Sequence, residues 1–447
     1  MMLQYYCVGK RLTFEVSFMD KKLISRYFSH ENLDFIKVTD TLKSSIDIAE
    51  EVYDCEWYNL PPEITKNRNL KLETYCRQIL LVHLNYQFGW NRYIMKYMGI
   101  WPEERKWNKP SSYIVLLPFL SLLCFACAPQ TINLPFIVHD LNLVAENLSN
   151  NTTFTLSLMK TLAFWMNGKP LKSLLTCIAN DWATVETKIG RETMVNIARI
   201  TRKIMIGCSM MCQLVVPFYV ILRLIFIEYD DNKMFVRGYY PYDTTVSPNY
   251  ELTMISQAIA AAYSASVYSS VDTFIAMLIL HACGQISNLK NDLREIHSHD
   301  KIDLQTKLKK IVQKHNYINR FAETVEDCFN IMLLIQMFGC TVLLCFQAFQ
   351  TIMSDGGKNE QYMIFQITYM CYYVVCTMMQ MLLYCYVGER LTFESTDIAE
   401  TAYHCEWYNL SPEAARLLLI IMCRARASPL KITAGKFCSF TILLYSQ

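Results

Sequence analysis

The chain has 447 residues, of which 53% are hydrophobic and only 18% charged. A soluble domain carries about 25% charged residues, so the deficit points to a membrane protein. The net charge of +2 is too small to argue for a nucleic-acid partner.

No signal peptide opens the chain, because Met1 to Val8 is too short for an apolar core and Lys10, Arg11, Lys21 and Lys22 follow it. Residues 1–63 contain a duplicated text. YYCVGKRLTFE (5–15) and SSIDIAEEVYDCEWYNLPPE (44–63) reappear as one continuous stretch, YCYVGERLTFESTDIAETAYHCEWYNLSPE, at 384–413. Between the two halves of the first copy, 16–43 has no counterpart and no sustained apolar period. A polar, aromatic region over 64–111 follows, closed by Pro110.

Seven apolar segments come next, near 112–134, 152–167, 204–227, 252–283, 329–353, 362–387 and 432–447. A spanning helix needs about 20 largely apolar residues. The second segment is weak, with Lys160 inside it, and the seventh is short. The expected fold is all-α: a seven-helix transmembrane bundle over 112–447 with its last helix truncated. Most cysteines, such as Cys124, Cys208, Cys340 and Cys371, lie inside these runs and read as small hydrophobes. Cys124 and Cys127 have metal or redox spacing but no second pair, so no metal or cofactor is expected.

Lys and Arg crowd the loops after segments two, four and six, whereas the alternate loops hold only Lys233, Arg237 and Lys358. By the positive-inside rule the N-terminus is cytoplasmic and, after seven spans, the C-terminus extracellular. The sequons at Asn147, Asn150 and Asn151 fall in the first loop expected outside, which makes them glycosylation candidates. This topology inverts that of a G-protein-coupled receptor, and no Asp-Arg-Tyr or Asn-Pro-x-x-Tyr closes the corresponding helices. Asp272 lies within the fourth segment. An intramembrane carboxylate is costly, and it serves either as a polar tie between helices or in gating, with Tyr268, Ser269 and Ser270 as hydrogen-bonding neighbours. His297 and His299, beside Glu295 and Asp300, read as a solvated helix end rather than a metal site. No GxSxG, Walker loop or HExxH motif is present, so an enzyme is not expected.

Several stretches, in order, resemble the insect odorant receptor family: WNRYIMKYMGIWP at 90–102, DLNLVAENLS at 140–149, SVDTFIAMLILHACGQ at 270–285, and 384–413 followed by KITAGKF at 431–437. The likeness runs from about residue 75 to the end. It implies a ligand-gated, non-selective cation channel in the plasma membrane of olfactory neurons. There a tuning subunit joins a shared odorant co-receptor subunit in a heterotetramer within the lipid bilayer, with the seventh helices lining the pore. No enlarged loop of the co-receptor kind separates segments four and five, so the chain reads as a tuning subunit. The resemblance also implies an apolar pocket for a small volatile odorant in the outer half of the bundle. Its candidate walls are Phe154, Leu158, Phe218, Tyr219, Leu222, Ile259, Tyr263, Tyr369, Tyr372 and Tyr373, against the alternative that each merely packs on a neighbour. The last three fall at i, i+3 and i+4 and are expected to share a face.

In the resembling family the 384–413 text belongs once, between helices six and seven. Residues 1–63 therefore read as the tail of a neighbouring receptor copy fused to the front. Two alternatives remain at this point: another multispan receptor or transporter, or a non-conducting, truncated or fused receptor product.

Overall fold

The computed structural model describes residues 86–102, 113–185, 187–226, 234–296, 301–353, 360–405 and 407–447. The chain divides into Met1–His83 and Leu84–Gln447. The duplicated segment 1–63 and the fusion inferred from it lie outside the described residues, as do His297 and His299.

The second unit is built around one helix. From Val267 to Ile286 every residue is buried, and a helix apolar on all sides has to be enclosed on all sides. The helices in chain order are α1 (86–97), α2 (Leu116–Ile137), α3 (Leu141–Met166), α4 (Gly168–Thr184), α5 (Lys188–Phe226), α6 (Asn249–Arg294), α7 (Lys301–Met353), α8 (Glu360–Tyr403), α9 (Pro412–Ala427) and α10 (Ile442–Ser446). The enclosed one is α6, packed against α2, α3, α5, α7 and α8. Among the described residues, five helices are long and apolar enough to cross a membrane: α2, α5, α6, α7 and α8.

Local chemistry explains the element ends. In α2, Pro129 has no N–H to give the carbonyl of Phe125. The Tyr240 hydroxyl donates to that oxygen instead, at 2.8 Å, beside a π turn at Leu123–Cys127. Asp140 caps α3, its carboxylate accepting from the backbone N–H of Asn142 and Leu143. This cap starts the helix at Leu141, well before the expected 152, and draws the expected external loop into it. Asn147, Asn150 and Asn151 are therefore helical. Asn147 is 2% exposed, where the folded chain has no room for a glycan, and the Asn151 amide donates to Thr131 at 3.0 Å.

The long helices outrun any bilayer. At about 1.5 Å per residue, the 53 residues of α7 extend roughly 80 Å against an apolar thickness near 30 Å. The surplus forms a charged helical layer. Lys290 of α6 reaches Glu394 at 2.6 Å and Asp397 at 2.7 Å on α8. Lys314 pairs with Asp292 at 2.7 Å, and Arg424 of α9 with Glu323 at 3.0 Å. Most of 384–413, expected as a connection, is thus the continuation of α8 through Tyr403. A second buried polar group ties this layer to the bundle. His281 Nε2 lies 2.8 Å from Asp181, the Tyr317 hydroxyl donates to Asp181 at 3.0 Å, and the Trp182 indole N–H donates to Gln87 at 2.7 Å.

The expected helix over 432–447 is corrected. Residues Thr433–Ala434 (β1) and Cys438–Ser439 (β2) form a two-stranded antiparallel hairpin, with Thr433 opposite Ser439. Gly435 and Lys436 turn it with φ of 58° and 64°, a left-handed conformation that no helix contains. Only then does the Thr441 hydroxyl cap α10 through the Leu444 N–H at 3.1 Å. Just before α10, Phe440 rests on α8 at Gly388, where an added Cβ would lie 2.6 Å from the Phe440 carbonyl oxygen. Gly388→Ala must push the terminal segment off α8, at a cost of about 1–3 kcal/mol. A lower melting temperature of the detergent-solubilised protein is the expected outcome, and an unchanged one would show that the contact is dispensable.

Candidate functional site

A cavity of about 110 Å³ lies between five helices. Its wall comes from Asn150, Thr153 and Phe154 on α3, from Cys212, Val215, Val216 and Tyr219 on α5, and from Ala261, Ser264, Ala265 and Tyr268 on α6. Gln336, Cys340 and Leu343 follow on α7, and Tyr369, Tyr373, Cys376, Thr377 and Gln380 on α8. The last side is a loop segment, Phe235 and Val236, held in place by Gln257. That amide accepts from the Val236 N–H at 3.0 Å and donates to the Val236 carbonyl at 2.9 Å. Aromatic rings form a continuous face, Phe235 to Tyr219 at 4.9 Å, Tyr219 to Tyr369 at 5.0 Å and Tyr369 to Tyr373 at 6.2 Å between centroids. The volume is of the order of an apolar cavity of about 150 Å³ known to take up benzene.

Of the residues expected in such a pocket, Phe154, Tyr219, Tyr369 and Tyr373 are brought together here. Phe218 and Tyr372 stand behind them. The Phe218 ring packs 6.0 Å from Tyr369 and 6.2 Å from Tyr372, and the Tyr372 hydroxyl donates to the Met211 carbonyl at 2.9 Å. Tyr263 is buried against the Thr161 hydroxyl at 3.2 Å, away from the cavity wall. Leu158 is half-buried and does not line the cavity. Ile259 is corrected: it is 57% exposed on the outer face of α6. Leu222 lies outside the residues whose side chains are described. Sequence reasoning drew no cavity residue from α7, although Gln336, Cys340 and Leu343 fall at i, i+4 and i+7 on one face.

Beneath the cavity lies an ion pair. Lys160 Nζ of α3 donates to Asp272 Oδ1 of α6 at 2.6 Å, and the Tyr384 hydroxyl of α8 donates to the same oxygen at 2.6 Å. The lysine is 1% exposed and the aspartate 2%. The Lys160 ammonium also lies 3.9 Å from the ring centroid of Tyr268, a cavity residue. Pairing removes the net charge that makes an intramembrane ion prohibitive. The partners are not the expected serines, since Ser269 and Ser270 both donate back to the Ser266 carbonyl, at 3.2 and 2.7 Å. The lysine that weakens the second apolar segment is the counter-ion of the aspartate in the fourth.

A family model described as 7tm odorant receptor matches residues 140–447. The chain belongs to this odorant receptor family. Odorant receptor 13a of Drosophila melanogaster is 25% identical over 383 residues, 78% of this receptor and 89% of that protein. The odorant receptor coreceptor of Anopheles gambiae is 29% identical over 144 residues, 32% of this receptor and 29% of that protein. The solved insect olfactory receptor OR5 from Machilis hrabei superposes with a TM-score of 0.72 at 18% identity, covering 82% of this receptor and 95% of that chain. The same protein in complex with eugenol gives 0.67 at 18% identity, covering 81% and 95%. The chain takes the fold of this seven-transmembrane family, and the multi-pass membrane setting follows, in a family of receptors rather than enzymes.

Removing one charge of the pair strands the other. Asp272→Leu leaves Lys160 buried and unpaired, a loss of about 3–5 kcal/mol, and is expected to abolish surface expression of the receptor. The double variant Lys160→Met/Asp272→Leu removes both charges and is expected to recover most of it, as read by surface labelling. Equal losses in the single and double variants would show that the pair does not act as a unit.

Proposed function

We propose that this receptor is an odorant-tuning subunit. It joins an odorant co-receptor in a heterotetramer at the plasma membrane of olfactory neurons and opens a non-selective cation path when a small volatile molecule enters the cavity. The N-terminus is cytoplasmic on this reading, which places the charged ends of α6, α7 and α8 inside the cell and the cavity in the outer half of the bundle. The observation that carries the reading is the aromatic-faced cavity itself. It is lined by helices from across the bundle, and its size suits a ligand of about one ring. Similarity to the coreceptors of several insects supports the partnership, and the relative solved with eugenol supports a small organic ligand.

Co-expression with an insect co-receptor and an odour panel, read as calcium entry or current, tests this. Phe154→Ala, which removes a ring from the cavity wall, is expected to shift the EC50 of activating odorants at least tenfold at unchanged surface expression. Ile259→Ala, on the outer face, is expected to leave it unchanged. Silence across a broad panel at normal surface expression would favour a non-conducting product, and an extracellular N-terminus would sink the topology.

A further inference from the structure

The polar groups around the cavity are mostly engaged with one another. The Tyr268 hydroxyl donates to the Thr153 carbonyl at 3.2 Å, Thr153 and Tyr373 pair hydroxyl to hydroxyl, and Thr377 donates to the Tyr373 carbonyl at 3.1 Å. The Gln380 amide N–H points to the Cys212 sulfur at 3.8 Å. Among the buried polar atoms of the cavity-lining residues, two have no hydrogen-bond partner: Gln336 Oε1 and Ser264 Oγ. They belong to α7 and α6, and Gln336 is 1% exposed.

The two atoms differ in what they ask for. The Gln336 amide nitrogen already donates to the Cys340 sulfur at 3.1 Å, one helical turn on, so its open end is the carbonyl oxygen, which only accepts. The Ser264 hydroxyl can donate or accept. A buried acceptor without a partner costs free energy that a donor reaching it from the cavity recovers. The other walls are aliphatic, aromatic and thiol groups with the neutral polar side chains of Asn150, Thr153, Thr377 and Gln380 and no carboxylate, which disfavours a charged ammonium donor. A neutral hydroxyl on an otherwise apolar body meets both conditions, and about 110 Å³ suits a body of roughly one ring or a short chain.

Resting on the cavity as the odorant site, we propose that this receptor selects small apolar alcohols and phenols over the ether or hydrocarbon of the same shape, with Gln336 as the specificity-determining residue. A site built around an unpaired acceptor discriminates against an isostere that lacks the hydroxyl far more strongly than an apolar wall discriminates by size. The hydroxyl donates to Gln336 Oε1, and Ser264 supports it as a second polar contact.

The test uses the receptor co-expressed with an insect co-receptor, and four probes: phenol, benzyl alcohol, anisole and toluene. Wild type is expected to respond to the two hydroxylated probes at an EC50 at least tenfold below that of anisole or toluene. Gln336→Leu and Gln336→Met keep the side-chain bulk and remove the acceptor. Either is expected to reduce the preference to within threefold by weakening the hydroxylated probes while keeping the toluene response. Anisole equal to or better than phenol in wild type, an unchanged preference in a glutamine variant that reaches the surface, or silence to both hydroxylated probes each overturns the proposal. Phe154→Ala separates the levels. If it shifts all active probes while the glutamine variants shift none, the cavity is the site and the hydroxyl rule is wrong. If it shifts none, the site itself is wrong.

Discussion

Two opposite charges buried side by side constrain the whole bundle. Lys160 and Asp272 lie on different helices, 2.6 Å apart and out of reach of solvent. Neither charge is tolerable alone in an apolar interior, so the depth and rotation of α3 relative to α6 are restricted to positions that keep the pair closed. Tyr384 adds α8 to the same oxygen. Three of the five helices that line the cavity are thereby referenced to one carboxylate. The remaining oxygen of Asp272 has no hydrogen-bond partner, so both donors, Lys160 and Tyr384, converge on a single oxygen.

The enclosed helix makes that constraint effective. A helix that met lipid on one side could rotate to relieve a strained contact, but α6 is surrounded from Val267 to Ile286. Its small residues permit the close approach. An added Cβ at Gly284 would meet the Ile197 side chain at 3.3 Å, and Ala260 and Ala261 are buried against neighbours higher up the same helix. The cavity is therefore a gap in an otherwise close-packed bundle. It persists where Cys, Ala, Val and Ser side chains are too short to fill the space between the aromatic residues of α3, α5 and α8.

Much of this was readable from residue order, and the parts that were not have physical causes. Apolar runs marked α2, α5, α6, α7 and α8, because each is long and apolar enough to cross a membrane. The start of α3 was hidden. Asn142, Asn147, Asn150 and Asn151 look like loop residues until an Asp140 cap and a packed neighbour recruit them. The aromatic period on α8 identified Tyr369 and Tyr373 but overcounted by one, since the third member of a helical face can turn to a neighbouring helix, as Tyr372 does toward Met211. Ile259 failed for a similar reason: an apolar residue on a spanning helix can face outward as easily as inward. Gln336 went unnoticed because nothing local distinguishes a glutamine facing a cavity from one packed in a core.

The duplicated stretch at 384–413 takes on a structural meaning that its text alone does not carry. Its first residues are Tyr384, which binds Asp272, and Gly388, which lets the Phe440 backbone approach α8. The Tyr384 ring also packs 5.7 Å from Phe440. Direct contacts therefore run from the cavity through Tyr268 to Lys160, Asp272 and Tyr384, and from there to the residue that precedes α10. Coupling between distant sites needs a contiguous element with two arrangements. This path supplies the contiguity, from the cavity wall to the terminal segment. A stretch that lies at once on the buried carboxylate and on the terminal segment joins the two ends of that path.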